Sequence, residues 1–198
     1  MSGDHHEPAA GLAARVRHVE ALLEQRGLVD ANELDLALEA FLTRASPASG
    51  ARVVARAWCD AAFRGRLLSD ANAALPELGL SMGGGLQEQR LNVVENDDRS
   101  HNVVVCTLCS CYPIALLGPS PSWYKSEGYR SRVVRDPRGV LHEFGYDVPA
   151  DVEITVWDAS AESRHMVLPR RPVGTDALSE AELAGLVTRN GLIGVAAV

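Results

Sequence analysis

Three of the chain's four cysteines lie within six residues, in the segment VVVCTLCSCYP that begins at residue 103. The three clustered thiols are Cys106, Cys109 and Cys111. The β-branched run before them predicts a strand that ends where the chain turns. We call the turning segment, residues 106–111, the claw loop. Its Cys-x-x-Cys-x-Cys spacing brings three sulfurs towards one point, and this pattern indicates metal or redox chemistry.

The composition is that of a soluble globular protein. The chain has 198 residues, of which 46% are hydrophobic and 23% are charged. Its net charge of −7 argues against a binder of nucleic acids or of anionic membranes, because both need positive potential. No apolar run is long enough for a transmembrane helix, and the first residues lack the basic and apolar segments of a secretory signal. We therefore expect a cytoplasmic protein, in which structural disulfides are rare.

Thiolates are soft ligands that suit zinc, copper(I), iron or cobalt. A structural zinc site takes four protein ligands, and no second cysteine pair is present. Cys59 lies in a predicted helix far upstream, and we expect it to be a buried core thiol. His101 could complete a metal site, but a lone histidine at a strand edge usually has no such role. A redox Cys-x-x-Cys pair is possible, but thioredoxin-like pairs open a helix in a βαβ unit, and no such unit is predicted here. The spacing favours a metal site with an incomplete ligand set, which a catalytic metal needs, while a non-catalytic zinc or metal-carrier protein remains the alternative.

The chain is predicted to divide near residue 82, with a helical N-terminal arm (residues 1–82) before an α+β domain (residues 83–198). Apolar residues recur at helical spacing in two stripes of the arm. The stripes are Leu12, Val16, Val19 and Leu23, and then Leu34, Leu38, Phe41 and Leu42. Contact with another chain and an ordinary helical subdomain explain these stripes equally well. Two further helices are predicted over residues 51–78, with a break at Asp60.

The second part contains short β-branched segments between helices. LNVVE and HNVVVCT are predicted strands, VEITVWDA alternates as a half-buried strand, and SRHMVLP is predicted to be its partner strand. Two helices are predicted on either side of Pro137, and Ser179 with Glu182 resembles a capping box. Strands and helices in no regular βαβ order indicate the α+β class, with the claw loop at a strand end of a layered α/β domain.

The claw segment resembles the metal-binding motif of the nitrile hydratase alpha subunit, and the resemblance covers residues 10–198. It includes VVARAW, VVEN, HNVVVCTLCSCYP, WYKS, YRSRVVRDPRGVL, VEITVWDASAE and GLIGVAAV in order and spacing. The thiocyanate hydrolase gamma subunit is a related family with the same loop. Thr107, between the first two cysteines, is similar to the cobalt-type version, whereas the iron-type version carries serine.

The resemblance implies a low-spin Co(III) ion, with Fe(III) as the less favoured alternative, and hydration of R–C≡N to R–CO–NH₂. The implied ligands are the three sulfurs and the backbone amides of Ser110 and Cys111. The family oxidises two of the thiols, and here these are Cys109, to sulfinate, and Cys111, to sulfenate. The Cys111 sulfenate is then the nucleophile or base, and Gln87 aligns with a glutamine near the metal-bound water.

Further site residues follow from the same alignment. Asp158 and Glu162 align with carboxylates outside the ligand shell, although a turn cap and a surface charge explain the pair nearly as well. Ile114 stands where the family commonly has a tryptophan that lines the substrate pocket. This departure predicts a bulky or heteroaromatic nitrile, and the absence of a positive charge there argues against thiocyanate.

The family enzyme also contains a beta subunit, in one chain or split into two. The resemblance implies that this subunit supplies arginines to the oxidised cysteines and that the helical arm contacts it.

Overall fold

The structure is a computed structural model that describes residues 7–83, 89–109 and 111–198. It divides into two compact units, the first ending at Thr43 and the second running from Arg44 to Val198. This division lies earlier than the boundary predicted near residue 82. The reason is that the helices after residue 46 pack into the second unit, where they contact the strands and later helices.

The first unit consists of helices α1 (Glu7–Gln25) and α2 (Ala31–Arg44). Asp30 caps α2, since its carboxylate accepts the backbone N–H groups of Asn32 and Glu33. Gly27 has a positive φ of 65°, as expected for a residue that ends a helix. Most apolar residues of the two predicted stripes are exposed. Both stripes thus lie on helices, as their spacing predicts, and neither is covered within its own unit.

In its described residues the second unit combines short helices with four strands, and this confirms the predicted α+β class. Its helices are α3 (Pro47–Cys59), α4 (Ala61–Ser69), α5 (Ala71–Ala74), a 3₁₀ helix (Leu75–Leu78), α6 (Ile114–Leu117), α7 (Ser122–Lys125), α8 (Glu127–Val133), α9 (Pro137–Glu143), α10 (Glu180–Leu186) and α11 (Arg189–Ile193). Its strands are β1 (Arg90–Glu95), β2 (Ser100–Val105), β3 (Glu153–Asp158) and β4 (Ser163–Leu168).

Local sequence signals set several helix ends. Asp60 ends α3 and caps α4 by accepting the N–H groups of Ala62 and Phe63, so the predicted break at Asp60 is confirmed. Ser179 and Glu182 form the predicted capping box at the start of α10. No helix in the described ranges combines the length and the apolar character that crossing a lipid bilayer requires.

The strands form two parallel pairs, β1 with β4 and β2 with β3. The prediction that SRHMVLP pairs with VEITVWDA is therefore wrong. Five of the six residues of β4 are buried, because β4 contacts β1, β2 and helix α11. The core is built on these strands and includes Val53, Val103, Met166 and Leu192, all fully buried.

Candidate metal centre

The strand pairing brings Asp158 and the beginning of the claw loop to one end of the second unit. β2 ends at Val105, whose partner in the register is Asp158, the last residue of β3. β1 and β4 begin at this same end, because a short turn joins β3 to β4 and β4 runs parallel to β1. The claw loop leaves β2 at Cys106. We call this region, where β2 and β3 end and β1 and β4 begin, the claw end.

The three sulfurs of the claw loop converge. The Sγ atoms of Cys106, Cys109 and Cys111 all lie within 4.8 Å of one another. The Cys106 Sγ is 3.3 Å from that of Cys109, which is 3.2 Å from that of Cys111. Cys106 is buried, Cys111 is intermediate and Cys109 is exposed, and all four cysteines of the chain are thiols. The cluster thus offers three soft donors with one side open to solvent.

The surroundings of Cys111 disfavour the ionisation of its thiol. Burial, followed by the hydrogen bond with Cys109, raises the pKa of the Cys111 thiol to about 12, while the positive charge of Arg164 acts in the opposite direction. A thiolate next to further sulfurs and away from water needs a compensating positive charge. The donor set therefore fits a soft, highly charged cation, which would favour the ionised form of each thiol.

Asp158 holds the start of the claw loop. Its carboxylate accepts the backbone N–H of Thr107 at 2.9 Å and the Thr107 hydroxyl at 2.5 Å. The register that places Asp158 beside Val105 explains this contact, because Thr107 is two residues farther along the same chain. Asp158 therefore contacts the claw loop directly through two hydrogen bonds, in addition to its position at the turn between β3 and β4. Glu162 lies in the turn before β4 with an exposed side chain, and its backbone carbonyl accepts the Arg90 N–H.

Three residues that the sequence did not single out also approach the loop. The Tyr124 hydroxyl donates to the Cys111 carbonyl at 3.0 Å, and the Arg130 guanidinium donates to the Thr107 carbonyl at 3.1 Å. Arg164 is buried and donates to the Ser160 and Ser163 carbonyls of the turn beside the loop. The segments WYKS and YRSRVV, which contain Tyr124 and Arg130, carried a signal in the family resemblance but no indication of which atoms they contact.

The remaining predicted site residues have different outcomes. Ile114 is the first residue of α6, three positions after Cys111, and its side chain is 37% exposed. Gln87 and Ser110 lie outside the described residues.

The expectation that Cys59 is a buried core thiol is wrong, because Cys59 is exposed. In α3 the buried face contains Gly50, Val53, Val54 and Ala57, and helical spacing places residue 59 on the opposite side with the exposed Arg52.

His101 lies at the beginning of β2, whereas the claw loop follows its end. Its Nε2 atom is 2.7 Å from the Gly194 carbonyl, and its Nδ1 atom is 3.1 Å from the Asn96 side-chain amide. Burial lowers the pKa of this histidine. Cys106 lies five positions farther along the extended chain, roughly 16 Å away, so His101 serves the packing of the C-terminal residues.

A cleft of about 440 Å³ lies at the end of β2 opposite the claw end, where its walls include His101, Tyr146 and Arg170. It does not contain the cysteine cluster, and its size alone assigns it no chemistry. The sulfur cluster, with its open side and its ring of backbone contacts, is the candidate site.

Comparison with known proteins agrees with this geometry. The family model described as "Nitrile hydratase, alpha chain" matches residues 10–196. The chain is 50% identical to the low-molecular weight cobalt-containing nitrile hydratase subunit alpha of Rhodococcus rhodochrous, over 96% of this chain and 94% of that protein. It is also 39% identical to the thiocyanate hydrolase subunit gamma of Thiobacillus thioparus, over 90% of this chain and 76% of that protein.

The fold gives the same result. A double mutant of the Fe-type nitrile hydratase from Comamonas testosteroni Ni1 superposes with a TM-score of 0.88 at 40% identity, covering 98% of this chain and 92% of that one. The match extends over nearly the whole length in both sequence and structure. The chain therefore belongs to the nitrile hydratase alpha-chain family.

Proposed function

We propose that this chain is the metal-binding catalytic subunit of a cobalt nitrile hydratase, which adds water to an organic nitrile and forms the amide. The convergence of three thiols on the claw loop, at a strand end and open on one side, is the observation that carries the proposal. Family membership supports the reaction class.

Cobalt is the metal that we propose for the site. The sulfurs of Cys106, Cys109 and Cys111, with the backbone amides of Ser110 and Cys111, would hold it. Two observations favour cobalt over iron: the relative at 50% identity is named as cobalt-containing, and Thr107 matches the cobalt-type loop. The similar solved structure is Fe-type, but at a lower identity of 40%. When bound, the trivalent ion supplies Lewis acidity towards the nitrile or water.

The burial of the three thiols supports the proposed oxidation states. Oxidation of cysteine requires access, and it proceeds from thiolate to sulfenate and then to sulfinate. Cys109 is exposed and Cys111 is intermediate, whereas Cys106 is 1% exposed. These exposures agree with the assignment that the family resemblance implies, which is the sulfinate at Cys109, the sulfenate at Cys111 and Cys106 unmodified. The Cys111 sulfenate oxygen is then the nucleophile or base, and Gln87 is proposed to orient the water.

Ile114 supports a bulky or heteroaromatic nitrile as the substrate. It follows Cys111 closely and presents a half-exposed aliphatic side chain. An isoleucine is narrower than the indole that this position commonly carries in the family, so a wider substrate fits beside it. A larger substrate also recovers the dispersion contacts that an unfilled pocket loses.

A beta subunit, in one chain or two, is the proposed partner. Several apolar residues of α1 and α2 are exposed, among them Leu12 at 62%, Val19 at 53% and Leu36 at 65%. Leu108, in the middle of the claw loop, is 89% exposed. Exposed apolar side chains of this size, on the two helices and on the claw loop, are typical of protein interfaces. The partner would then cover the open side of the sulfur cluster.

The test is to produce the chain together with the polypeptides encoded beside it, in medium that contains cobalt, and to measure metal content, intact mass and nitrile turnover. We expect about one cobalt per chain, added oxygen mass on the peptide with Cys109 and Cys111, and amide as the product. Cys106→Ser should abolish loading, and Cys59→Ser is its matched control, a thiol outside the cluster that should leave loading unchanged.

Other outcomes would separate the alternatives. Turnover of thiocyanate without turnover of nitriles would indicate a thiocyanate hydrolase-like subunit, to which the identity with the gamma subunit points. Zinc bound to unmodified thiols, with no activity towards either substrate, would indicate a metal carrier and would overturn the proposal.

A further inference from the structure

Two side chains from the helical segment after the claw loop reach back to its backbone. Tyr124, in α7, donates its hydroxyl to the Cys111 carbonyl, and Arg130, in α8, donates to the Thr107 carbonyl. Thr107 is the second residue of the loop and Cys111 is the last. The two contacts therefore hold the loop near its beginning and at its end.

Tyr124 occupies a site in which its hydroxyl has little freedom. Its side chain is fully buried, with ring centroids 5.0 Å from Tyr112 and 5.8 Å from Tyr129. A phenol keeps its proton at neutral pH, so the Tyr124 hydroxyl can donate to the Cys111 carbonyl. A buried hydroxyl without a hydrogen-bond partner costs free energy, and this favours the loop conformation that brings the Cys111 carbonyl to Tyr124.

Arg130 and Asp158 both form hydrogen bonds with Thr107. Asp158 binds the N–H and hydroxyl groups of Thr107, and Arg130 binds the Thr107 carbonyl. The Nε atom of Arg130 is buried with no hydrogen-bond partner among the described residues. Burying part of a guanidinium costs free energy of folding, and the hydrogen bond to the Thr107 carbonyl offsets part of this cost.

We propose that Tyr124 and Arg130 are positioning residues that fix both ends of the claw loop, so that the three sulfurs converge before the metal arrives. Leu108, which lies between these two contacts, is 89% exposed. A loop with fixed ends loses less conformational freedom when it binds an ion, and this strengthens binding. The inference rests on the proposed function only in requiring that the cluster takes up cobalt.

The test uses the full chain, reduced and without oxygen, titrated with Co(II) in competition with a chelator. The thiolate-to-cobalt absorption band reports ligation by sulfur independently of turnover. Tyr124→Phe keeps the ring and removes the donor, so we expect the affinity for Co(II) to fall about tenfold, as expected for one lost buried hydrogen bond.

Tyr129→Phe is the matched control. It also removes one buried tyrosine hydroxyl bonded to a backbone carbonyl, at 2.7 Å, but that carbonyl belongs to Val104 within β2. We expect both variants to lose similar thermal stability and only Tyr124→Phe to lose affinity. Equal losses of affinity in the two variants, or none in Tyr124→Phe, would overturn the proposal.

A second pair of variants covers the case in which Tyr124→Phe does not fold. Arg130→Met should weaken Co(II) binding several-fold, and Arg130→Lys, which can still donate to the Thr107 carbonyl, should recover part of the loss. Arg132→Met is the control, since Arg132 forms an exposed ion pair with Glu143 away from the loop. An effect of Arg132→Met as large as that of Arg130→Met would contradict the positioning role.

The two proposals fail in different ways. Graded Co(II) affinities in these variants, without nitrile turnover by the wild-type complex, would remove the proposed function and leave the positioning role intact. Full nitrile turnover by the wild-type complex, with Co(II) affinities that do not differ among the variants, would support the proposed function and remove the positioning role. A wild-type chain that shows no thiolate–cobalt band would refute both.

Discussion

Replacing Asp158 by asparagine should loosen the claw loop while leaving the fold in place. The carboxylate of Asp158 accepts two hydrogen bonds from Thr107, one from the backbone N–H and one from the hydroxyl. The amide of asparagine keeps one acceptor oxygen and turns an NH₂ group towards the second donor. The substitution therefore removes one bond outright and removes the negative charge that strengthens the other.

The magnitude follows from these two losses. A hydrogen bond to a charged group contributes about 1.5–3 kcal/mol when buried, and solvent reduces this value. Because both contacts are exposed, we expect a loss of about 1.5 kcal/mol, which corresponds to roughly tenfold faster release of cobalt to a chelator. The loss should act on the metal site more than on global unfolding, because β3 keeps its pairing with β2.

A double-mutant cycle measures the contact itself. Thr107→Val removes the hydroxyl at constant shape, and the four proteins of the cycle are compared by the rate of cobalt release and by thermal unfolding. We expect a coupling of about 1 kcal/mol between the two positions in the release rate. Glu153→Gln is the charge control, since Glu153 is exposed at the far end of the same strand. Strict additivity of Asp158→Asn and Thr107→Val, or an equal effect of Glu153→Gln, would refute this interpretation.

Further predictions concern a ligand, the pocket and the packing of the C-terminal segment. Metal analysis of Cys106→Ser should find no cobalt, and a stoichiometry equal to the wild type would refute the assignment of Cys106 as a ligand. Ile114→Trp should shift kcat/KM from a heteroaromatic nitrile towards acetonitrile, and an unchanged ratio in a competition assay would exclude Ile114 from the pocket. Gly194→Ala should lower the free energy of unfolding by more than about 2 kcal/mol, because its φ is 88° and the added Cβ would lie 2.0 Å from the Asn102 carbonyl oxygen. In Gly174→Ala, where φ is 82° and no atom lies within 4 Å, denaturant melts should show only about 1 kcal/mol, and equal losses would mean that the close approach is unimportant.

Features that depend on neighbouring residues were predictable from sequence. The break at Asp60 depends on a side chain that caps the following helix within three residues, and the Ser179–Glu182 box is equally local. The claw loop is also a local feature in part, since the spacing of its three cysteines lets their sulfurs face one point. In each case the interacting groups are close in the chain, so the pattern contains the contact.

Features that depend on distant partners were not predictable in this way. β3 and β4 follow one another, and adjacency favours a hairpin, yet each pairs with a strand from the first half of the second unit. Cys59 has apolar neighbours in sequence, but the helices that pack on α3 choose the opposite face. The second compact unit begins at Arg44, before the boundary predicted near residue 82, because α3 packs against α6 and α10.

The candidate site shows the same division between local and distant information. The thiols were found from their spacing, whereas Asp158 came only from the family resemblance and Tyr124 and Arg130 were missed. All three contact the loop through its backbone. A backbone group looks the same at every position of a sequence, so a contact with it leaves no pattern at the position contacted.

The arrangement of the loop also separates two demands that metal chemistry makes on one short segment. A ligand set must be held firmly, which favours burial and many contacts, whereas oxidation of sulfur and access of substrate require exposure. The chain meets the first demand at the beginning and end of the loop, through Cys106 in the core, Asp158 on Thr107 and Tyr124 on Cys111. It meets the second at Cys109, the exposed thiol between them. Under the proposed function, a partner that covers this exposed side would form the remaining walls of the substrate pocket, and catalysis would then require both chains.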